Sequence, residues 1–235
     1  MNRRALAPIL ALAAMAAAAL VGTAGAATTP FSSRALAVSR TCTLTGTASS
    51  STVAVETWVD QNAPNTNSGG TTTMFVQANG TKNRRTYLRF DLTRCVPAIP
   101  ATATVTEAVL RLFMNQISTA CTTEDVFRVT SSWGETTITW NNQPFGTAIN
   151  NPPTGQRTGS IAVGAAPCTN STNNVYVTGW NVTTDVAAFV AGTATNYGWM
   201  IRDDNEGSAN HNSRYVTSEA NQPTQGPQLI VTYDP

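Results

Sequence analysis

The sequence has little charge and almost no histidine. Only 11% of its 235 residues are Asp, Glu, Lys or Arg, the formal net charge is +1, and there is one histidine. A nucleic-acid-binding surface needs a clear basic excess, so this balance argues against nucleic acid as a partner. Outside the apolar N-terminal stretch described below, no segment is apolar and long enough to span a bilayer, so membrane insertion is not expected.

The N-terminus has the pattern of an export signal. Asn2, Arg3 and Arg4 precede an Ala-rich apolar stretch, and residues 24–26 form a small-residue cleavage site. This predicts a secretory signal peptide over residues 1–26 and a secreted, extracellular protein. The alternative is a membrane anchor, but no basic stop-transfer residues follow the apolar stretch. Cleavage would remove Arg3 and Arg4 and lower the net charge by two.

Cysteine is also scarce. The four cysteines, Cys42, Cys95, Cys121 and Cys168, are widely spaced without a CxxC pair, so a zinc site is not expected. In an oxidising compartment two disulfides are the simpler interpretation. Three pairings are possible, and we favour Cys42 with Cys95 and Cys121 with Cys168.

The chain alternates apolar and polar residues in many short segments. Residues 27–50 form a polar lead that we expect to be partly unstructured, and residues 51–235 form one domain. One short helix is expected from Thr183 or Thr184 to Gly192. Strands are expected at residues 53–60, 72–78, 85–92, 105–115, 124–129, 136–140, 175–181, 198–203 and 228–233. This pattern predicts an all-β fold, an antiparallel jelly-roll β-sandwich with one short helix.

Three arginines and a tyrosine lie at alternating positions on two predicted strands, opposite the apolar residues. Period two places Arg85, Tyr87 and Arg89 opposite the apolar residues of their strand. If the strand carrying Arg111 is a neighbour, all four share an exposed face, with Lys82 and Arg84 at its rim. Arginine forks suit carboxylates, so this face could bind a uronic-acid polymer. A solvated face with arginines paired to Asp91 or Glu107 remains an equal alternative.

Two loops carry polar clusters. Asp203, Asp204 and Glu206 could contribute oxygen ligands to a structural Ca²⁺, although their spacing is not that of an EF-hand and a solvated turn is favoured. The second cluster consists of Trp133, Glu135, Trp140, Asn141 and Asn142. These residues could bind sugar, but we favour the interpretation that they pack within the fold.

The sequence lacks a catalytic pattern. There is no G-x-S-x-G motif, and no pair of carboxylates can be shown to meet. His211 lies close to Arg214 and Tyr215, which would suit a polysaccharide lyase. We expect no enzyme activity and keep the lyase as a minor alternative.

Several segments together resemble one known family. Residues 84–92, 105–112, 132–144, 180–186, 196–203 and 213–233 are similar, in order, to the DNRLRE domain, also classed as carbohydrate-binding module family 96. Where the family usually has the triplet "SrE", this sequence has Ser213, Arg214 and Tyr215, and Ser218 and Glu219 follow a few residues later. The resemblance implies an extracellular jelly roll that binds polysaccharide, and related modules bind acidic polymers such as alginate. We therefore expect a non-catalytic module for an acidic or cell-wall polysaccharide, with cell-wall or matrix components as partners. The alternative is a structural or adhesive surface protein that binds no free sugar.

Overall fold

The computed structural model describes residues 38–48, 53–207 and 210–235. The signal peptide expected at residues 1–26 and most of the expected polar lead lie outside these residues. No helix in the described segments is long and apolar enough to cross a membrane.

In the described part of the chain, thirteen strands form two antiparallel sheets, which confirms the predicted all-β sandwich. The first sheet has the order β1-β13-β5-β10. The second has the order β8-β7-β11-β4-β3-β12-β6-β9, with β2 paired to β4. The strands are β1 Arg40–Thr45, β2 Ala54–Asp60, β3 Thr73–Ala78, β4 Arg84–Phe90, β5 Thr104–Arg111, β6 Phe113–Gln116, β7 Thr122–Arg128, β8 Gly159–Val163, β9 Val175–Tyr176, β10 Trp180–Asn181, β11 Trp199–Asp203, β12 His211–Val216 and β13 Gln228–Asp234.

The main core lies between the two sheets. Leu88 and Phe90 of β4 point inward against Leu110 of β5, as their alternation predicts, and all three are fully buried. Trp180 adds a large ring to this core, and its Nε1 donates to the carbonyl of Glu124 at 2.9 Å.

The predicted helix is present as α1, Thr183–Val190. Neither threonine caps it as expected, because Val182 occupies the cap position without a side-chain hydrogen bond. The Thr183 hydroxyl instead accepts a bond from the Ala108 amide at 2.9 Å and so ties the helix to β5. Gly192 follows the helix with φ +69°, a conformation that glycine adopts without strain.

Both disulfides form with the predicted pairing. Cys42 of β1 bonds Cys95, and Cys121 bonds Cys168. The first joins the outer strand of one sheet to the segment after β4. The second joins the start of β7 to the loop after β8.

Several strand predictions need correction. The segment 175–181 is two strands, β9 in the second sheet and β10 in the first. Residues 136–140 form turns within a loop, in which the Thr139 amide donates to Asn142 Oδ1 at 2.6 Å. The predicted lead contains β1, which pairs with β13 along its whole length. β8 and β12 were not predicted. The segment 105–115 is two strands, because the chain leaves the first sheet at Leu112 and enters the second.

The second sheet is covered on its outer face along only part of its width. The long connection between β7 and β8, residues 129–158, places Ile138, Trp140 and Phe145 over this face. They pack on Tyr87 of β4 and Met200 of β11 in a second apolar cluster. The outer face of β3, β12, β6 and β9 carries half-exposed side chains and forms the candidate site.

Candidate functional site

The predicted arginine face is buried at its centre. Alternation correctly places Arg85, Tyr87 and Arg89 on the outer side of β4, but Arg85 and Tyr87 are 0% exposed because residues 129–158 cover them. Arg85 pairs with Glu206 through two bonds of 2.7 and 2.8 Å. The Tyr87 hydroxyl donates to Gln143 at 2.9 Å, and burial raises its pKa. These two side chains hold the covering loop in place, so the expectation that they face a ligand is wrong.

The other predicted basic residues do not share one face. Arg111 lies on β5 in the first sheet, whereas Arg89 lies on β4 in the second. Arg89 is half-buried over Trp133, with 5.9 Å between its Cζ and the ring centroid. Lys82 is exposed in the turn before β4. Arg84 pairs with Asp60 at 3.0 Å.

The acidic residues of the loop at 203–206 are engaged by other side chains. Glu206 is committed to Arg85, Asp203 Oδ2 lies 2.9 Å from His211 Nδ1, and Asp204 accepts a bond from Thr122. Within the described residues no group of three or more His, Cys, Asp or Glu side chains is placed to hold a metal ion. The arrangement therefore does not fit the Ca²⁺ considered from the sequence.

His211 and Tyr215 are closed off from solvent. Both point into the core between the sheets and are 0% exposed. The Tyr215 hydroxyl donates to Glu124 Oε2 at 2.6 Å, and burial, together with Glu124, raises its pKa. Neither side chain can reach a polymer on the surface, so the structure gives the lyase hypothesis no support.

The cluster around Trp133 serves the loop itself. Trp140 is 3% exposed, and Trp133 Nε1 donates to the carbonyl of Tyr197 at 2.7 Å. Asn142 bonds within its own turn, and Glu135 Oε1 accepts the amide of Glu56 at the edge of β2. These contacts support the structural interpretation favoured from the sequence.

The open part of the second sheet carries arginines stacked on aromatic rings. The guanidinium carbons of Arg84 and Arg214 lie 4.8 and 5.1 Å from the centre of the Phe75 ring. Trp58 completes this group, with 4.8 Å between its ring centroid and that of Phe75. Such stacking fixes each guanidinium plane on the sheet surface.

Next to this group lies a polar cavity of about 430 Å³, here called the amide groove. Thr73 and Val216 continue the pairing of Phe75 with Arg214, so the cavity and the arginines are contiguous. Amides and hydroxyls dominate its lining of Thr72, Thr73, Asn115, Asn174, Val216, Ala220, Gln222 and Gln225. Asn115 Oδ1 is buried and has no hydrogen-bond partner among the described residues.

Tyr176 holds the far wall of the amide groove. Its hydroxyl donates to the carbonyls of Gly226 and Thr224 at 2.8 and 3.1 Å, which fixes the loop that carries Gln222 and Gln225. Its ring lies 4.9 Å from the guanidinium carbon of Arg111. Arg111 of the first sheet is therefore held next to this wall of the groove.

Arg111 and Arg214 have no carboxylate partner. Of the acidic side chains that the structure describes, none lies within 4.0 Å of either guanidinium. Sequence reasoning did not include Arg214 in the predicted face because no strand was predicted at residues 211–216. The alternation of residues 211–216, which places Asn212, Arg214 and Val216 on the outer face, was the signal that could have revealed this strand.

The fold and this surface together define a class of protein. A β-sandwich with an open sheet face that carries amides, hydroxyls, aromatic rings and free arginines is typical of a sugar-binding module. The chain belongs to carbohydrate-binding module family 96, whose family profile matches residues 47–233. Members of such families are non-catalytic binding modules. No curated protein matches the chain.

Proposed function

We propose that the protein binds an acidic or cell-wall polysaccharide outside the cell, through the amide groove, and does not act on it chemically. The observation that carries this proposal is the half-exposed Arg214, which lies beside the groove with no carboxylate of the described residues within 4.0 Å. Of the basic residues predicted from sequence, the proposal retains Arg84, which stacks on Phe75 beside Arg214, and Arg111, which stacks on Tyr176.

The lining of the groove supports a sugar ligand. Amide side chains donate and accept, so Asn115, Asn174 and Gln222 can bond the vicinal hydroxyls of a sugar ring. The unpartnered Oδ1 of Asn115 offers a buried acceptor that a ligand hydroxyl would satisfy. The groove is open to the surface, which suits a continuous polymer better than a small enclosed ligand.

The charge next to the groove supports an acidic sugar. Two guanidinium groups lie within 5.1 Å of the Phe75 ring, and only Arg84 has a carboxylate partner, Asp60. A uronate carboxylate beside Arg214 would balance the second charge and accept two parallel hydrogen bonds. Because Phe75 is occupied by guanidinium groups, its ring orients the arginines and is not itself a sugar platform.

Extracellular location is the remaining part of the proposal. Two disulfides are formed in the described residues, and disulfides persist in oxidising compartments. The predicted signal peptide is consistent with this location.

Truncating the groove should weaken polysaccharide binding. We expect Arg214→Ala combined with Asn115→Ala to lower the affinity for a uronic-acid oligosaccharide about 10- to 100-fold, since a charge-assisted bond and a buried acceptor are lost. Isothermal titration calorimetry measures the change. Arg40→Ala, at an exposed position of β1 in the other sheet, is the matched control and should bind as the unmodified protein does.

Affinity electrophoresis in alginate, pectin and neutral cell-wall polymers identifies the glycan class. Retardation by acidic polymers that the double variant loses supports the proposal. Unchanged retardation of the double variant would place the site elsewhere. Absence of retardation in every polymer would favour a structural or adhesive protein.

A further inference from the structure

A second cavity lies near the opposite edge of the same sheet. It has a volume of about 480 Å³ and is formed by the end of β7, the start of α1 and the final part of the covering connection. Its polar lining includes Arg128, Arg157, Gln156, Thr130 and Thr184, and Phe145 supplies a half-exposed ring. We call it the arginine cavity.

The two arginines of this cavity are only loosely neutralised. Arg128 Nη1 lies 3.5 Å from Asp185, and Arg157 Nη1 lies 3.7 Å from Asp125. Charge-assisted hydrogen bonds are about 2.7–2.9 Å long, so both contacts are too long to engage the guanidinium N–H groups fully, and these groups can still donate to a ligand. Their side chains are 38% and 44% exposed, which makes both accessible from the cavity.

The carboxylate behind Arg128 is held by other groups, and the carboxylate behind Arg157 is buried. Asp185 Oδ2 accepts bonds from Trp199 Nε1 at 2.9 Å and from the Thr158 hydroxyl at 2.7 Å. Asp125 is fully buried beneath Arg157, in the neighbourhood of Arg202. Asp185 is therefore not available to pair fully with Arg128, and Asp125 makes no hydrogen bond to Arg157 within the described residues.

We propose that the arginine cavity is a second binding site, which takes one carboxylated sugar unit. Arg128 and Arg157 would bind the carboxylate, Thr130, Thr184 and Gln156 the hydroxyls, and the Phe145 ring the apolar C–H face of the sugar. The ligand class follows the proposed function, but the residues belong to a different part of the fold.

The two sites are independent. They share no lining residue, because the arginine cavity is formed by β7, α1 and the covering connection, whereas the amide groove is formed by β3, β12, β6 and the loop before β13. A long acidic polymer can contact both sites at once. The domain would then bind such a polymer bivalently and gain affinity from the second contact.

Nuclear magnetic resonance with a uronic-acid disaccharide tests the second site separately from the first. Amide signals of Thr130, Thr158 and Thr184 should shift in the unmodified protein and equally in Arg214→Ala/Asn115→Ala. In Arg128→Gln/Arg157→Gln these shifts should need at least tenfold more ligand, while the signals of the amide groove respond as before. Those groove signals also show that the variant is folded.

Three results would overturn the proposal. The first is shifts at the groove with none at the cavity, which would leave the proposed function intact. The second is equal cavity shifts with acetate or with a neutral glucose disaccharide, because the site would then not recognise a carboxylated sugar. The third is cavity shifts that persist unchanged in Arg128→Gln/Arg157→Gln.

Discussion

Arg85→Met should lose about 3–5 kcal/mol of the free energy of unfolding, because it leaves a buried carboxylate without its partner. Arg85 and Glu206 are 0% exposed and are joined by two short bonds. The same guanidinium donates to the carbonyls of Gly146 and Ala148, so its loss also leaves acceptors of the covering connection unpaired. Urea unfolding followed by tryptophan fluorescence measures the change.

Arg94→Met is the matched control for this variant. Arg94 pairs with Asp91 at 3.3 Å, but both side chains are well exposed, so the expected loss is about 0–1 kcal/mol. Glu206→Gln should destabilise the protein much as Arg85→Met does, and the double variant should lose less than the sum of the two. A loss at Arg85 no greater than at Arg94 would contradict the structural role assigned to the pair.

The protein should also become less stable as the pH rises from 5 to 8. Glu56 lies within β2 and is fully buried. Burial is the main cause that raises its pKa from 4.5 to about 7. Its Oε1 accepts the Ser218 amide at 2.5 Å, whereas its Oε2 has no partner within the described segments. Burial likewise raises the pKa of Glu124 from 4.5 to about 7.

The direction of this change in stability follows from the protonation state that the folded protein favours, which is the neutral carboxyl group. A raised pKa means that the folded state holds the proton more tightly than the unfolded chain does. The stabilisation is complete below about pH 4.5 and is lost as the pH rises through about 7. The difference in pKa corresponds to roughly 3 kcal/mol for each group at full effect.

Urea unfolding at pH 5 and pH 8 measures this dependence. Glu56→Gln keeps an acceptor for Ser218 but cannot ionise, so it should remove part of the loss between the two pH values, and the rest comes from Glu124 and from Asp125, whose pKa burial raises from 3.8 to about 6. Glu107→Gln, at an exposed position of β5, should leave the dependence unchanged. A stability that increases from pH 5 to pH 8, or an unchanged slope in Glu56→Gln, would be inconsistent with buried carboxyls at these positions.

Alternation in the sequence predicted which side of a strand each residue occupies, but not what covers that side. It correctly grouped Arg85, Tyr87 and Arg89 on one side of β4. Their exposure depends on a connection of about thirty residues, and nothing in the pattern of β4 shows that this connection folds back over the strand. The aromatic residues Trp133 and Trp140 were the indication that the loop has an apolar side to bury.

The neighbours of each strand were also beyond the pattern. The alternation through Leu112 is unbroken, yet the chain changes sheet there, which separates Arg111 from β4. The amide groove combines residues such as Asn115, Asn174 and Gln222, which lie far apart in the sequence. Such a site is produced by tertiary packing, so a reading of local periodicity cannot assemble it.

The central claim is that the protein binds an acidic polysaccharide through the amide groove. Mapping the backbone amide shifts during titration with a uronic-acid oligosaccharide tests it most directly. We predict the largest saturable shifts at Thr73, Phe75, Asn174, Arg214 and Gln222, together with the smaller set expected at the arginine cavity. The absence of saturable shifts at the groove, with the protein folded and the oligosaccharide in excess, would contradict the account.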